Sequence, residues 1–438
     1  MKAASVLALA ICAAPAFGQY AGPAILSRGD GPAAMATPQV DFRPFFELTG
    51  GYSTGLEGVT VNSQGIPATA PSAAVQISGG VSGVHTWKHT QIALNYTAAL
   101  SRYPNDSFYD SSTQGLLFSL THQFTRHAVF SLRENAGMYW RTPTPIGLSE
   151  TVPFDASTTY APATDFYDNR TMFTSTQANF RLQKSNRLSF DLGGNSNLTR
   201  RQSTVLYGVG GVGAQGDVQY RWTRRSTIGA AYSYMHFAYR GVFSASDIHS
   251  VNGTYAIQLT RTLELSAFGG FSRVETKIVQ AVPVNPEIGI LLGISEGAVI
   301  IHTTGYRPNF SARLSRTFSR GVAFLSGGHS ETPGNGLFLM SSATNAAAGY
   351  TFTGLRLWSF SAQAAYSTAE STGNVLGRYT TISGGLSASR QIRRYVHVIA
   401  TFSARQYESP DFAGYNRFTS DARLGLGFTP GDIPLRIW

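Results

Sequence analysis

Polar and apolar residues alternate along this chain, from residue 40 onward, in runs about as long as one β-strand. In the run from 91 to 101, Tyr96 and Leu100 on the even positions are apolar, and Asn95 and Thr97 on the odd positions are polar. Successive side chains of a strand point to opposite faces, so each run predicts a strand with one apolar and one polar face. The pattern recurs at residues 116–124, 130–140, 358–366, 396–405 and 418–428.

The segments between these runs are of two kinds. Eight are short, basic and free of acidic residues: 87–89, 125–127, 184–187, 223–225, 260–262, 316–320, 353–356 and 393–394. Nine are longer and rich in Pro, Asn, Asp and Gly: 54–72, 103–111, 141–169, 199–205, 240–248, 274–305, 331–339, 367–377 and 407–416. Eight short turns and nine long loops predict about 18 strands, within a range of 16–20, with both chain ends on the short-turn side.

The composition argues against a soluble β-protein. Only 13% of the residues are charged, whereas soluble domains carry roughly 25%. A polar lumen and an apolar exterior, with short turns at one end and long loops at the other, are typical of a transmembrane barrel. Closure of the sheet removes the edges that lipid would not tolerate. We therefore predict an all-β fold, a transmembrane antiparallel up-and-down β-barrel.

The chain divides into four predicted regions. Residues 1–18 have a positively charged start, a short apolar core and small residues before Gln19, which predicts a cleaved signal peptide. Residues 19–39 form a Pro/Gly-rich periplasmic segment, 40–428 the barrel, and 429–438 a C-terminal tail. The only cysteine lies in the signal peptide, so the mature chain is expected to form no disulfide.

Taken together, these features resemble a bacterial outer-membrane β-barrel of the porin type. The resemblance covers roughly residues 40–428 and implies an outer-membrane location in a Gram-negative bacterium. Such barrels commonly end in an aromatic residue that the barrel-assembly machinery reads. Leu424, Leu426 and Phe428 match this signal, although the chain continues to Trp438, which is itself aromatic. Aromatic residues near strand ends, such as Tyr103, Trp222 and Trp358, fit the girdles that contact the outer-membrane lipid interface.

The polar phase of the predicted strands carries six arginines, which we expect to line the lumen: Arg133, Arg181, Arg221, Arg313, Arg405 and Arg423. Fixed positive charge on a wall raises the local concentration of anions. Pairing with luminal acids such as Asp191, Asp217 and Asp421 is the alternative role of these arginines. The third long loop is a candidate constriction and carries four acids: Glu150, Asp155, Asp165 and Asp168.

We expect a pore for small hydrophilic solutes, anionic ones above all, that is passive or biased towards a substrate. The alternatives are a component that exports a polysaccharide or another polymer with a periplasmic partner, and a sealed structural or surface barrel. A homo-oligomer is compatible with each of these. No enzyme, cofactor, metal or nucleic-acid function is expected, because no metal-ligand spacing or basic cluster is present. His329 and Ser330 are adjacent in a predicted strand, so they point to opposite faces and form no catalytic pair with each other.

Overall fold

Eighteen β-strands form one sheet in the computed structural model of the chain, and every pair of neighbouring strands is antiparallel. The structure describes residues 40–61, 67–104, 110–139, 171–202, 207–241, 244–283, 296–333, 340–352, 355, 357–372, 377–410 and 416–430. Within these ranges no helix is long and apolar enough to cross a membrane.

The strands follow one another along the chain in an unbroken antiparallel series. The first nine are β1 (Val40–Val61), β2 (Pro67–Thr86), β3 (Thr90–Arg102), β4 (Ser111–Thr125), β5 (Ala128–Tyr139), β6 (Thr171–Gln183), β7 (Leu188–Arg201), β8 (Gly208–Arg221) and β9 (Ser226–Arg240). The second nine are β10 (Ser244–Gln258), β11 (Leu263–Pro283), β12 (Glu296–Phe318), β13 (Gly321–Thr332), β14 (Ser341–Phe352), β15 (Trp358–Ser371), β16 (Arg378–Arg393), β17 (Val396–Glu408) and β18 (Arg417–Phe428).

The sheet closes on itself between its first and last strands. β1 pairs with β18 from Phe46 opposite Phe428 to Thr54 opposite Ser420, and it pairs with β2 on its other side. Closure leaves no unpaired edge, which is the condition for a sheet to lie in lipid. The predicted fold class and strand number are confirmed, and each of the eight predicted short turns joins two consecutive strands.

Two of the predicted long loops were wrong in extent. Much of 274–305 is strand, because β11 continues to Pro283 and β12 begins at Glu296; likewise β1 and β2 extend into 54–72. These two hairpins have strands of 20 to 23 residues, whereas the other fourteen strands have 12 to 16. β10 also begins at Ser244, inside the predicted loop 240–248. The Pro, Gly and acidic residues used to assign loops are tolerated in hairpins that rise beyond the barrel rim.

The two phases of each strand differ in exposure as the alternation predicts. On β3, Tyr96 and Leu100 are exposed, whereas Asn95 and Thr97 are buried. The pattern holds on β18, where Leu424 is 62% exposed. The exposed, mostly apolar phase faces outward and the other faces the interior, which we call the luminal wall.

Asparagine side chains on the luminal wall lie over glycines of the neighbouring strand. Asn197 is directly opposite Gly211, and a Cβ added to Gly211 would lie 2.6 Å from the Asn197 Oδ1. Asn252 and Gly270 have the same relation, at 2.7 Å. These inward glycines make room for the carboxamides of their neighbours, so a larger residue would disturb the wall.

Candidate functional site

All six predicted pore-lining arginines lie on the luminal wall. The register sets Arg133 opposite Gln177, Arg181 opposite Asp191, Arg221 opposite Thr227, Arg313 opposite Ser266, Arg405 opposite Ser383 and Arg423 opposite Thr401. Several different parts of the sheet contribute them, so they are distributed around the barrel rather than gathered in one cluster.

Two of these arginines form ion pairs with luminal acids. The Nε of Arg181 donates to the Oδ2 of Asp191 at 2.7 Å. The Nε of Arg423 donates to the Oδ1 of Asp421 at 2.6 Å, and the Ser53 hydroxyl donates to the same carboxylate at 2.5 Å. At these two positions the guanidinium is paired with an acid of the same wall, which is the pairing that the alternative interpretation of the sequence described.

Aromatic rings contact two other arginines of the set. The Arg313 guanidinium lies 5.2 Å from the centre of the Phe324 ring. The Nη1 of Arg405 donates to the Tyr407 hydroxyl at 3.0 Å. Contact with a ring orients a guanidinium without neutralising its charge. The Glu264 carboxylate, which lies on the same wall, also acts electrostatically on Arg313.

Three further arginines on the luminal wall were not identified from the sequence. Arg43 lies opposite Ser82, Arg307 lies opposite Ser272, and Arg201 lies opposite Thr171. Arg201 falls inside a predicted loop and Arg307 directly follows one, so neither could be given a strand phase. The pairing of each arginine with an inward residue of the neighbouring strand is the observation that assigns it to the luminal wall.

Positive charge exceeds negative charge on this wall. Among strand residues with described side chains, nine arginines lie on the inward phase: Arg43, Arg133, Arg181, Arg201, Arg221, Arg307, Arg313, Arg405 and Arg423. Five acids share that phase: Glu47, Asp191, Asp217, Glu264 and Asp421. Three of these arginines form ion pairs, Arg181 with Asp191, Arg307 with Glu331 and Arg423 with Asp421.

Tyr103 is a correction to the predicted aromatic girdle. It directly follows β3 at the end of the barrel with the long connections, and its side chain is only 3% exposed. Its hydroxyl contacts Ser53, and burial raises the pKa of the phenol. Tyr103 is therefore a neutral interior group beside the Asp421–Arg423 pair. Trp222, by contrast, is 65% exposed, as expected of an interfacial residue.

The luminal wall also carries an apolar patch near the same end. Its inward residues on β8 to β11 are Val209, Phe237, Tyr239, Ile248 and Val274, and Met340 packs against them. The Tyr239 hydroxyl lies 3.7 Å from the Met340 Sδ, and the Thr372 amide donates to the Met340 carbonyl at 3.0 Å. Met340 directly precedes β14, so this contact joins residues that belong to strands five apart in the sheet. Val274 and Ile248 fell in predicted loops, which is why the patch was missed.

A serine and a histidine meet on the outer wall, on two neighbouring strands. The Ser342 hydroxyl lies 2.9 Å from the His329 Nε2, and the Thr344 hydroxyl lies 2.8 Å from the His329 Nδ1. Ser342 is only 8% exposed, and its backbone pairs with β13 and β15. Its amide is thus used by the sheet and is not free to stabilise an oxyanion.

The acids of the predicted constriction loop and the predicted assembly signal are the remaining groups of predicted site residues. Glu150, Asp155, Asp165 and Asp168, the acids of the predicted constriction loop, lie outside the described residues, as do Trp438, the signal peptide and the 19–39 segment. Leu424, Leu426 and Phe428 lie on the outward phase of β18 and are 62%, 55% and 47% exposed. Their role as an assembly signal stays a prediction.

The chemistry of the wall offers no metal centre within the described part of the chain, where no three His, Cys, Asp or Glu side chains are grouped to hold an ion. The described interior is a polar, arginine-rich surface with an apolar patch towards one end.

Solved structures of bacterial outer-membrane proteins resemble the chain over most of its length. The ferric-catecholate import receptor Fiu of E. coli K12, in its open form, has a TM-score of 0.44 and 10% identity over 87% of this chain and 81% of that chain. OccK2 (OpdF) of Pseudomonas aeruginosa, in complex with glucuronate, has a TM-score of 0.40 and 10% identity over 90% and 99%. OpdL of the same organism has 0.39 and 13% over 91% and 99%.

No family model and no curated protein matches the chain. The class therefore rests on the architecture. A closed antiparallel barrel with an apolar exterior and a mostly polar interior has the architecture of a transmembrane β-barrel, the fold that the sequence predicted. Its exposed apolar surface requires lipid, which places the protein in the outer membrane.

Proposed function

We propose that the protein is a pore for small hydrophilic solutes with a preference for anions. The observation that carries this proposal is the excess of luminal arginines over luminal acids, nine against five among described side chains. An 18-stranded barrel is wide enough to hold an aqueous interior. Wall charges act on passing ions within a Debye length of about 8 Å at physiological ionic strength.

The test compares two sets of variants in a planar bilayer under a salt gradient. Replacing Arg133, Arg181 and Arg405 by Gln removes three luminal charges. The matched control, Arg423→Gln with Asp421→Asn, removes a paired cation and anion and leaves the luminal net charge unchanged. We expect the triple variant to shift the reversal potential towards cations and the control to retain the wild-type value.

An equal shift in both variants would contradict the proposal, because it would show that loss of packing rather than loss of charge changes the selectivity. Folding is checked by the change in gel mobility on boiling, which folded barrels of this class commonly show. The same recordings address the sealed-barrel alternative. The Tyr239–Met340 contact favours a narrow interior, and a folded protein with no conductance would support that alternative.

A further inference from the structure

A carboxylate lies on the lipid-facing wall at mid-height of the barrel. Glu134 has the outward phase of β5, and the register sets it opposite Phe118 of β4 and Thr176 of β6. It lies six residues from Ala128, where β5 begins at the short-turn end. Six residues of a strand tilted by about 40° rise about 15 Å, and the apolar band of such barrels is about 25 Å tall. Glu134 therefore lies within the hydrocarbon rather than at its edge.

Its depth distinguishes Glu134 from the other acids of the outer wall. The others with described side chains lie 10 to 12 residues from the short-turn end of their strands, close to the long connections: Asp247, Glu275, Glu331, Glu370 and Glu408. Apolar residues of β6 are exposed on both sides of Glu134 along the strand direction, since Met172 is 49% and Phe180 38% exposed. A charge on the lipid face is most unfavourable near the bilayer midplane, so an acid at that depth is a candidate functional group.

Two threonines of the neighbouring strand bind the carboxylate. The Thr174 hydroxyl donates to the Glu134 Oε1, and the Thr176 hydroxyl donates to the Oε2. Among the described residues, no basic side chain forms an ion pair with Glu134. Each oxygen of a carboxylate can accept more than one hydrogen bond, so both can still bind a further donor. Acyl chains offer no donor, and lipid headgroups lie outside the hydrocarbon core.

The outer face of β7 carries a donor of the kind that this carboxylate requires. Ser196 is directly opposite Thr176, faces outward and is exposed. Its hydroxyl has no hydrogen-bond partner within the part of the chain that the structure describes. Ala178 and Gly194 are paired beside it, and such small residues let a second membrane-embedded protein approach closely. The outer wall therefore has an acceptor on β5 and a donor on β7, one on each side of β6.

We propose that this part of the outer wall is the contact surface between two copies of the barrel in the membrane. We call Glu134, Thr174, Thr176 and Ser196 the Glu134 face. A two-fold axis along the membrane normal near β6 places β5 of each copy against β7 of the other, so the acceptor side of one meets the donor side of the other. Such self-complementarity is what an isologous contact requires. A second copy supplies its donor within the hydrocarbon, which neither a lipid nor a soluble protein does.

Cysteine cross-linking tests the proposal, because the mature chain expected from the sequence contains no Cys. Ala178→Cys and Ala364→Cys place the same thiol on the outer wall at similar heights, five residues from Gln183 and six from Trp358. Ala364 is the matched control, because β15 is nine strands from β6 in the closed sheet and thus on the opposite side of the barrel. After oxidation of native membranes with copper phenanthroline, we expect a dimer for Ala178→Cys and monomer alone for Ala364→Cys.

The role of the carboxylate is tested in the Ala178→Cys background. Glu134→Leu removes the acceptor, and we expect the rate of dimer formation to fall about tenfold or more, as for loss of a hydrogen bond to a charged group. The change in gel mobility on boiling shows that each variant is folded. Equal cross-linking at the two alanines, no dimer from folded Ala178→Cys, or an unchanged rate in Glu134→Leu would overturn the proposal. A product whose mass is not that of two copies would also overturn it, because another membrane protein would then cover this face.

Discussion

Two adjacent glycines of β11 provide a test of which strand phase faces the lumen. Gly270 is inward, and a Cβ added there would collide with the Val251 carbonyl and lie 2.7 Å from the Asn252 Cα. Gly269 is outward, and a Cβ there would meet nothing closer than the Phe310 Cβ at 3.9 Å. The substitutions Gly270→Ala and Gly269→Ala thus add the same methyl group to opposite faces of one strand.

The expected difference follows from these distances. The close contacts at Gly270 are to backbone atoms, so side-chain rotation cannot relieve them, and β10 and β11 must separate by several tenths of an ångström. Overpacking of this kind costs about 1 to 3 kcal/mol. At Gly269 the alanine fits and restricts the unfolded chain, which stabilises by about 0.4 to 1 kcal/mol. We therefore expect the two variants to differ by about 1.4 to 4 kcal/mol in unfolding free energy.

The assay is urea unfolding of the protein in phospholipid vesicles, followed by tryptophan fluorescence and by gel mobility before and after boiling. Gly270→Ala should unfold at lower urea than wild type, and Gly269→Ala at equal or higher urea. The reverse order would show that Gly269 faces the crowded interior. That result would invert the assignment of every luminal residue on β11 and its neighbours.

Three further predictions concern topology, assembly and chemistry. An epitope inserted within 284–295 should be accessible on intact cells, whereas one between Lys184 and Arg187 should not. Labelling at the second site would show that the short turns face the cell exterior, which is the opposite orientation. Phe428→Ala should lower the yield of folded barrel in cells more than Phe418→Ala does, where Phe418 is an outward aromatic residue at the other end of β18. Equal yields would show that Phe428 is not part of the assembly signal. A lipid-like fluorophosphonate should not label the protein; labelling lost in Ser342→Ala but kept in Ser330→Ala would reveal a catalytic serine.

The sequence was informative where a strand carries regular alternation and ends in a short turn. On β3, the phase of Asn95 and Tyr96 follows from the alternation alone, because each one-residue step turns a side chain to the other face. The same logic placed Arg133 and Arg405 on the luminal wall. The short turns predicted the strand number, because a connection of only a few residues between two strands must be a hairpin turn. Counting these turns therefore counts pairs of strands.

Contacts between strands distant in sequence could not be predicted in this way. Tyr103 lies beside Ser53 and Asp421 because β1, β3 and β18 are near neighbours in the closed sheet. Ser342 meets His329 only through the register of β13 with β14. The apolar patch around Met340 depends on a contact across the interior. Each of these requires the register and closure of the barrel, which local alternation does not contain.

The central claim is that the barrel encloses an open lumen with a positively charged wall. The most direct test is the reversal potential of single channels of the wild-type protein in a planar bilayer under a potassium chloride gradient. We expect measurable conductance with anion preference at about 0.1 M salt, where the Debye length is about 10 Å, and loss of that preference towards 1 M, where it is about 3 Å. Cation preference at low salt, or no conductance from folded protein, would contradict the claim.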